Sequence, residues 1–150
     1  MAGSAQASIE KADKILVLKS RRQMMLLKDE KVLKTYRISL GSQPNGKKTR
    51  RGDGKTPEGK YIIDRRNPYS RYHLALHVSY PSAPDIRHAR LSGTDPGGNI
   101  MIHGLPNGHG PRWKTKMFTD WTAGCIAVSD QEIAEIWRAV PDGTPIEIRG

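Results

Sequence analysis

Residues 125–140 read CIAVSDQEIAEIWRAV, and this stretch indicates a short buried strand that runs directly into a helix. Cys125 opens an apolar run of four residues. Ser129 and Glu132 then have the spacing of a capping box, in which each side chain bonds to the backbone N–H of the other residue. The apolar residues that follow recur at helical spacing and form one stripe, made of Ile133, Ile136, Trp137 and Val140.

The apolar runs outside this stretch are short and have the composition of strands. Two long loops interrupt them, at residues 41–59 and 105–122, and loops of this length in a compact domain are usually functional or disordered. Residues 81–98 are expected to form turns. The sequence therefore predicts an α+β fold that is rich in mixed and antiparallel strands, with one helix in its C-terminal half. The expected strands are 14–19, 23–28, 31–40, 60–64, 73–79, 99–103, 125–128 and 145–149.

The length, the charge and the cysteine content narrow the class of protein. The chain has 150 residues, enough for one domain, and a formal net charge of +10. One cysteine excludes an intrachain disulfide, and no apolar run is long enough for stable membrane insertion. The positive charge favours a polyanionic partner, but no zinc-finger spacing or RNA-binding aromatic strand is present. We therefore expect no nucleic-acid partner, and we expect a monomer.

The N-terminal residues differ in composition from the rest of the chain. Residues 1–12 read MAGSAQASIEKA, which is small and polar and has no apolar segment typical of an export signal. We interpret them as a flexible arm whose first four residues resemble a cloning remnant. Residues 13–150 are then one domain. An export signal is expected to be absent from this chain.

Cys125 is the strongest candidate for chemistry in the sequence. Gly124 before it lets a substrate approach the backbone closely, and backbone N–H groups of the turn can hold a developing oxyanion. A thiol nucleophile also needs a base. His103 is the best placed of the five histidines, because it ends a predicted strand and precedes the loop that leads to Cys125. On its own, His103 would be interpreted as a hydrogen-bonded structural histidine.

Other chemistries fit the residues less well. A zinc site needs three or four ligands, and His73 and His77 lie about 13 Å apart on an extended strand, too far to share one ion. No Gly-x-Ser-x-Gly elbow is present for a serine hydrolase. Residues 52–56 end in Gly-Lys-Thr, but they lack the spacing and the preceding strand of a phosphate-binding loop. No metal and no cofactor are therefore expected.

The motifs together resemble the YkuD-type L,D-transpeptidases. The resemblance lies in IHG at residues 102–104, in TAGCI at residues 122–126 and in GDGKTPEGKY at residues 52–61. It extends from about residue 14 to residue 149. It implies a β-rich catalytic domain that acts on peptidoglycan stem peptides through a cysteine acyl-enzyme. In that family the bond after the third stem residue is cleaved, the terminal D-Ala leaves, and the acyl group passes to an amine.

The resemblance also implies roles for individual residues. Cys125 matches the nucleophile, and His103 matches the general base. Gly104 matches the position whose backbone carbonyl orients that histidine. Gly124 and Cys125 match the amides of the oxyanion hole, and Thr122 precedes them at a position expected to contact the substrate.

Two positions depart from the usual family pattern. Ala123 stands where a second histidine is common, and Ala127 stands where an arginine is common. Binding of the substrate carboxylate is therefore expected from elsewhere, with Arg112, Lys114 and Lys116 as candidates. The sequence DWTAGCIAV at residues 120–128 resembles the YafK-like branch. That branch includes hydrolases that free a lipoprotein from peptidoglycan, so transferase and amidase both remain open.

The resemblance implies a location and partners as well. We expect a periplasmic or cell-envelope enzyme that binds peptidoglycan stem peptides and is acylated by carbapenem-type inhibitors. The rival interpretation is a basic binding module in which Cys125 is buried and inert. A catalytic Cys125 is expected to react fast near neutral pH, which separates the two.

Overall fold

A computed structural model describes residues 9–150 of the chain. Eight strands form one mixed sheet in the order β3-β2-β1-β8-β4-β5-β6-β7. The strands are β1 (Lys14–Leu18), β2 (Gln23–Lys28), β3 (Lys31–Arg37), β4 (Gly59–Ser70), β5 (His73–Val78), β6 (Met101–His103), β7 (Ile126–Ala127) and β8 (Pro145–Arg149). The helices are α1 (Ala83–Leu91), α2 (Trp113–Lys116) and α3 (Asp130–Ala139), with a 3₁₀ turn at Lys19–Arg21.

The pairing of the strands combines two parallel contacts with an otherwise antiparallel sheet. The parallel pairs are β1 with β8 and β6 with β7. Isolated bridges then join Ser39 to Ala127 and Gly41 to Thr122. Because Ser39 follows β3, these bridges bring the two ends of the strand order together. The segment around Cys125 is therefore held on both sides.

The core lies between the sheet and α3. Ile15, Val17, Met24 and Leu26 are fully buried and alternate along β1 and β2, as expected for strands with one face in the core. In α3, Ile133 and Ile136 are fully buried, and Trp137 packs against the same cluster. Full burial of one such side chain contributes about 1.5–3 kcal/mol. The predicted apolar stripe is thus the face that holds α3 in place.

The helix count is the main correction to the predicted fold. One helix was expected, and the described residues contain three. α1 lies within residues 81–98, which were interpreted as turns, and begins with a capping box between Ser82 and Asp85. Only Ala89 of this helix is buried, so it lacks the apolar stripe that marks α3. α2 is a single turn inside the loop 105–122.

Strand boundaries also differ from the prediction. β4 continues to Ser70, six residues beyond the predicted end, through irregularities in its pairing with β5. In β3, regular alternation would put Val32 and Tyr36 on the same face, but a register shift between β2 and β3 leaves Val32 half exposed while Tyr36 is buried. A bulge of this kind has no clear signature in residue types alone.

The expected N-terminal arm falls mostly outside the described residues, which exclude residues 1–8. Of its last four residues, Ile9 packs against the core cluster. Ala12 is buried, and its N–H donates to the carbonyl oxygen of Ala139 at 2.8 Å. The packed part of the chain thus includes residues before 13.

No helix in the described part of the chain has the length and apolar composition needed to cross a lipid bilayer.

The two capping boxes allow a direct test of the helix assignments. The hydroxyl of Ser129 accepts from the Glu132 N–H at 3.1 Å, and that of Ser82 accepts from the Asp85 N–H at 3.4 Å. Replacing either serine with alanine leaves that N–H without its partner. We expect Ser129→Ala and Ser82→Ala each to lower the free energy of unfolding by about 1 kcal/mol, measured in urea. Ser92→Ala, at the exposed end of α1, is the control. A Ser82→Ala protein as stable as the control would contradict the cap of α1.

Candidate active site

The turn that carries Cys125 is fixed by close backbone packing. Gly124 has a φ of +141°, and a Cβ added there would lie 2.8 Å from the carbonyl oxygen of Lys55. A side chain at Gly41 would collide with the carbonyl oxygen of Gly54 and approach Gly124. The loop 41–59 therefore lies directly against the Cys125 turn, and glycine is required where the backbones meet.

The side chain of Thr122 stabilises this turn through hydrogen bonds to its backbone. It is buried, and its hydroxyl donates to the carbonyl oxygen of Cys125 at 2.7 Å and accepts from the Gly124 N–H at 3.1 Å. Both functions of the hydroxyl are thus used within the protein. Thr122 was expected to contact substrate; its side chain is buried and does not line the cavity beside Cys125, and the substrate contact stays a prediction. The Gly124 amide is also occupied, so the oxyanion roles of Gly124 and Cys125 stay predictions.

His103 is buried at the end of β6, with its tautomer fixed by a neighbour. Its Nδ1 lies 2.7 Å from the carbonyl oxygen of Gly104. A carbonyl oxygen can only accept, so Nδ1 carries the proton and Nε2 of the neutral ring keeps a free lone pair. This is the orienting contact that the resemblance implied for Gly104.

Aromatic side chains cover the His103 ring. Tyr72 stacks on it with ring centroids 4.3 Å apart, and Trp121 lies at 5.7 Å. Trp113 in turn contacts Trp121 edge-on at 4.8 Å. The indole Nε1–H of Trp121 is buried without a hydrogen-bond partner in the described part of the chain. The ring is therefore held rigidly in apolar surroundings.

Strand register relates His103 to Cys125. In the parallel pair β6/β7, His103 lies opposite Ala127. Cys125 comes directly before β7, so the pairing places it next to the strand that neighbours His103. The thiol lies 3.4 Å from the carbonyl oxygen of Asn99, and across residues 9–150 it makes no hydrogen bond to His103. The assignment of His103 as the base for Cys125 therefore stays a prediction.

Burial shifts the two pKa values in opposite directions. It raises the pKa of the Cys125 thiol, although the backbone N–H of Met101 and the charge of Lys48 act to lower it. Burial lowers the pKa of His103, against the effect of the Gly104 carbonyl. At neutral pH the pair is thus a thiol and a neutral imidazole. The expectation that free Cys125 reacts fast near neutral pH does not fit this arrangement.

The cavity beside Cys125 has a volume of about 240 Å³ and a basic wall. Lys48 and Arg51, both from the loop 41–59, contribute the two charged side chains of this wall. Arg112 and Lys114 do not line it: Lys114 borders a separate apolar cavity of about 360 Å³ with Trp113, and Arg112 precedes α2. His103 does not line it either. The lining residues are Lys48, Arg51, Gly52, Gly97, Gly98, Asn99, Ile100, Ala123 and Cys125.

Sequence reasoning missed Lys48 and Arg51 as site residues. The dense run of basic residues in the loop 41–59 marked that loop as unusual, but it lies about 75 residues from Cys125 in the chain. Contacts of Gly41 and Lys55 with Gly124, together with the bridge from Gly41 to Thr122, bring it to Cys125. No local pattern encodes such a long-range contact.

A buried ion pair holds this basic loop in shape. Lys48 is only 4% exposed, and its Nζ donates to Asp53 at 3.0 Å and to the carbonyl oxygen of Arg50 at 2.9 Å. Burial alone would raise the pKa of Asp53, but hydrogen bonds from Thr49, Lys48, Arg50 and Lys55 together lower it to about 2. The carboxylate is therefore the centre around which the loop folds.

A second ion pair anchors the segment that precedes Thr122. Arg22 donates to both carboxylate oxygens of Asp120, at 3.1 Å from Nε to Oδ1 and 2.8 Å from its terminal nitrogen to Oδ2. The Leu40 N–H donates to the same carboxylate at 3.1 Å. Asp120 thus ties the residue before β2 and the residues after β3 to the segment that leads to Cys125.

The described residues contain no group of three or more histidine, cysteine, aspartate or glutamate side chains placed to hold a metal ion. His77, one of the two strand histidines considered for zinc, instead pairs through Nδ1 with Asp64 at 2.6 Å.

The fold matches a known family of catalytic domains. The model of the YkuD family, the L,D-transpeptidase catalytic domain, matches residues 12–148. The chain belongs to the YkuD family of L,D-transpeptidase catalytic domains.

Curated relatives place it near one branch of that family. YafK of Escherichia coli K12, whose own assignment as an L,D-transpeptidase is provisional, is 33% identical over 111 residues. The match covers 73% of this chain and 37% of YafK. The chain thus spans well under half the length of this relative.

Solved structures agree on the fold. The helical cell shape determining protein Pgp2 from Campylobacter jejuni has a TM-score of 0.69 at 25% identity, over 93% of this chain and 48% of Pgp2. Bd1075 from Bdellovibrio bacteriovorus has a TM-score of 0.59 at 26% identity, over 97% of this chain and 49% of Bd1075. The L,D-transpeptidase LdtMt1, solved in complex with imipenem, shares the fold at 19% identity with a TM-score of 0.57, over 91% of this chain and 58% of LdtMt1.

The lowered pKa of Asp53 makes the loop 41–59 pH-sensitive. Its folded pKa of about 2 lies below the ordinary 3.8, so it contributes stability above pH 3.8 that is lost as the pH falls towards 2. Asp53→Asn leaves the buried Lys48 charge unpaired, and we expect it to lower the free energy of unfolding at pH 7 by about 2–4 kcal/mol. Asp142→Asn removes a more exposed ion pair with Arg66 and is expected to cost below about 1 kcal/mol. Equal losses in urea unfolding would contradict the central role of Asp53.

The pKa shifts at Cys125 and His103 predict how the thiol titrates. Because Cys125 is the only cysteine, iodoacetamide reports on it alone. We expect alkylation to be slow at pH 7 and to rise with a midpoint above the ordinary thiol value of 9.0, with the same midpoint in His103→Gln. An alkylation midpoint below 7 in the wild-type protein that disappears in His103→Gln would show a thiolate–imidazolium pair and contradict the neutral pair.

Proposed function

We propose that this domain is a peptidoglycan L,D-transpeptidase that forms a cysteine acyl-enzyme on stem tetrapeptides. Cys125 is the nucleophile and His103 is the general base. The observation that carries the proposal is the fixed tautomer of His103, which leaves its Nε2 lone pair free at the end of β6, next to the strand β7 that Cys125 directly precedes. Membership of the YkuD family supplies the reaction class.

In the first half-reaction, Nε2 of His103 takes the thiol proton as Cys125 Sγ attacks the carbonyl carbon of the third stem residue. The tetrahedral intermediate collapses when His103 gives that proton to the leaving D-Ala nitrogen, and a thioester remains. In the second half-reaction, an amine attacks the thioester carbon and His103 accepts its proton. The thiol leaves and recovers a proton from His103, so the enzyme is regenerated.

The oxyanion of each intermediate needs backbone donors near Cys125. The Gly124 N–H already donates to Thr122, so we assign the first contribution to the Cys125 N–H. Gly124 contributes when substrate binding draws its N–H away from the threonine hydroxyl. Starting from a neutral thiol and imidazole, the proton moves only when the substrate carbonyl is in place. This protects the single thiol from reaction with other electrophiles.

A second candidate function is a cysteine amidase that uses the same thioester and resolves it with water. Ala123 lines the cavity, so the space beside the sulfur is larger than a histidine there would allow. Ala127 is buried against Ser39 and does not line the cavity, so the absence of an arginine there removes a charge without widening the site. The extra space admits water as readily as an unusual amine.

The proposal extends to location, partners and inhibitors. We assign the domain to the periplasm or cell envelope, where stem peptides are found, and we keep the monomeric state as a prediction. The net charge of +10 suits a polymer rich in stem carboxylates. The complex of LdtMt1 with imipenem supports acylation by carbapenems. The activity of the whole protein is part of this proposal, because the domain spans only about half the length of its solved relatives.

Mass spectrometry of products from disaccharide-tetrapeptide tests the proposal. We expect the wild-type domain to release D-Ala and to take up one imipenem molecule. Cys125→Ala should fold, lose all turnover and take up none. His103→Gln should lower kcat by about 10²–10⁴-fold, because the thiol loses its base. His109→Gln, at an exposed histidine paired with Asp130, is the matched control and should keep its rate.

The products distinguish the two candidate functions. Cross-linked dimers, or exchange with an added D-amino acid, establish transfer. Tripeptide alone, even with abundant acceptor amine, establishes the amidase. Substantial turnover by Cys125→Ala would contradict both functions, and an inert wild-type domain would favour the basic binding module.

A further inference from the structure

We propose that Arg51 and Lys48 form the subsite that binds the substrate carboxylate nearest the scissile bond. The inference rests on the proposed function and names the part of the substrate that the cavity recognises. Arg51 makes the direct contact, and Lys48 provides the positive charge behind it. The residues at which the sequence placed this role, Arg112 and Lys114, do not line the cavity of Cys125.

The cavity is electrostatically one-sided. Its two charged lining residues are cations, and their partner carboxylates, Asp53 for Lys48 and Asp95 for Arg51, do not line it. The rest of its wall consists of glycines and small or apolar residues, together with Asn99, whose carbonyl oxygen faces the thiol. A wall of this kind favours an anionic group of the substrate over a neutral one, and over the cationic amine of a stem peptide.

The guanidinium group of Arg51 has hydrogen-bond donors that the described residues do not use. Only its Nε is used, in a hydrogen bond of 3.0 Å to Asp95. In the described residues its two terminal nitrogens make no hydrogen bond, and they form the planar fork that binds a carboxylate through two parallel bonds. Its backbone N–H donates to the carbonyl oxygen of Asp95 at 2.7 Å. The position of this residue is thus fixed although its side chain is exposed.

Lys48 is suited to a supporting role. Two of the three donors on its ammonium are used by Asp53 and the Arg50 carbonyl, so one N–H remains. Its charge is close enough to the Cys125 sulfur to lower the pKa of the thiol. Because Lys48 is buried, water screens its charge weakly. The hydrogen bond to Asp53 fixes the position of the ammonium group.

Glycines leave room for the bound group. Gly52, Gly97 and Gly98 line the cavity between Arg51 and Cys125. A Cβ on Gly97 would lie 3.0 Å from Cα of Arg51, so the two loops approach closely here. One extended residue spans about 3.3–3.6 Å, which puts a carboxylate one residue from the scissile carbonyl within the dimensions of this cavity.

Two carboxylates of a stem peptide have the required chemistry. One is the terminal carboxylate of the leaving D-Ala, and the other is the free carboxylate of the diaminopimelate residue that carries the scissile carbonyl. The usual family arginine is replaced by Ala127, which is buried. Either group would therefore need a cation from another part of the chain, and Arg51 supplies one in the same cavity as the nucleophile.

The test compares three tetrapeptide substrates: the free acid, the terminal carboxamide and the form amidated at diaminopimelate. We expect the wild-type domain at low salt to prefer the free acid over one amidated form by about tenfold or more in kcat/KM. The amidated form that loses activity identifies the bound carboxylate. In Arg51→Gln, KM for the free acid should rise until the preference disappears, while turnover of the amidated form stays unchanged.

Controls separate a binding role from a structural one. Arg50→Gln removes the same charge from the same loop at an exposed side chain that does not line the cavity, and it should keep the preference. Arg51→Lys should restore part of it. Iodoacetamide alkylation of Cys125 should be the same in all these proteins. Lys48→Met should weaken the preference, and if it fails to fold, the Arg51 variants still decide the outcome.

The outcomes distinguish failure of the subsite from failure of the proposed function. If the wild-type domain cleaves all three substrates equally, or if Arg51→Gln keeps the preference, the subsite is wrong and the acyl-transfer function stands. If Arg50→Gln and Arg51→Gln lose activity alike, the effect is general charge and the subsite is also wrong. If the wild-type domain cleaves none of the three, the proposed function fails and the subsite with it.

Discussion

The arrangement of the candidate active site depends on a close contact between two backbone segments that carry glycine where they meet. Gly41 and Gly124 meet where the loop 41–59 crosses the Cys125 turn, and a side chain at either position would strike a backbone oxygen of that loop. This contact gives Cys125 its orientation and brings Lys48 and Arg51 to its side. The ion pairs Lys48–Asp53 and Arg22–Asp120 then hold the two segments from opposite sides. Removing either glycine would disturb the nucleophile and its charged wall together.

The sequence allowed the candidate site residues to be proposed, and the helix α3 to be predicted, because the patterns that mark them are local. Cys125 and Gly124 are neighbours, as are His103 and Gly104, and the capping box and stripe of α3 extend over a dozen residues. The missed features are of two kinds. α1 has a cap but only one buried residue, so hydrophobic periodicity could not reveal it. The basic wall and the buried position of Thr122 arise from contacts between distant segments, which no spacing in the chain encodes.

Burial shifts the pKa values of both candidate groups away from their charged forms. The thiol of Cys125 is harder to ionise than usual, and the imidazole of His103 is harder to protonate. The rings of Tyr72 and Trp121 that surround His103 favour its neutral form, because a buried ion would lose its hydration. In the proposed reaction, charge would develop only when the substrate is attacked, beside the turn amide and the Lys48 side chain.

The central position of β8 in the sheet has a consequence for how the domain folds. This strand is the last in sequence, yet it lies between β1 and β4 and pairs with both. The hairpins on either side therefore form one continuous sheet only after residues 145–149 have paired with both. Until then the edges of β1 and β4 face no strand and are open to mispairing. The folding of this domain thus depends on a strand far in sequence from both of its neighbours.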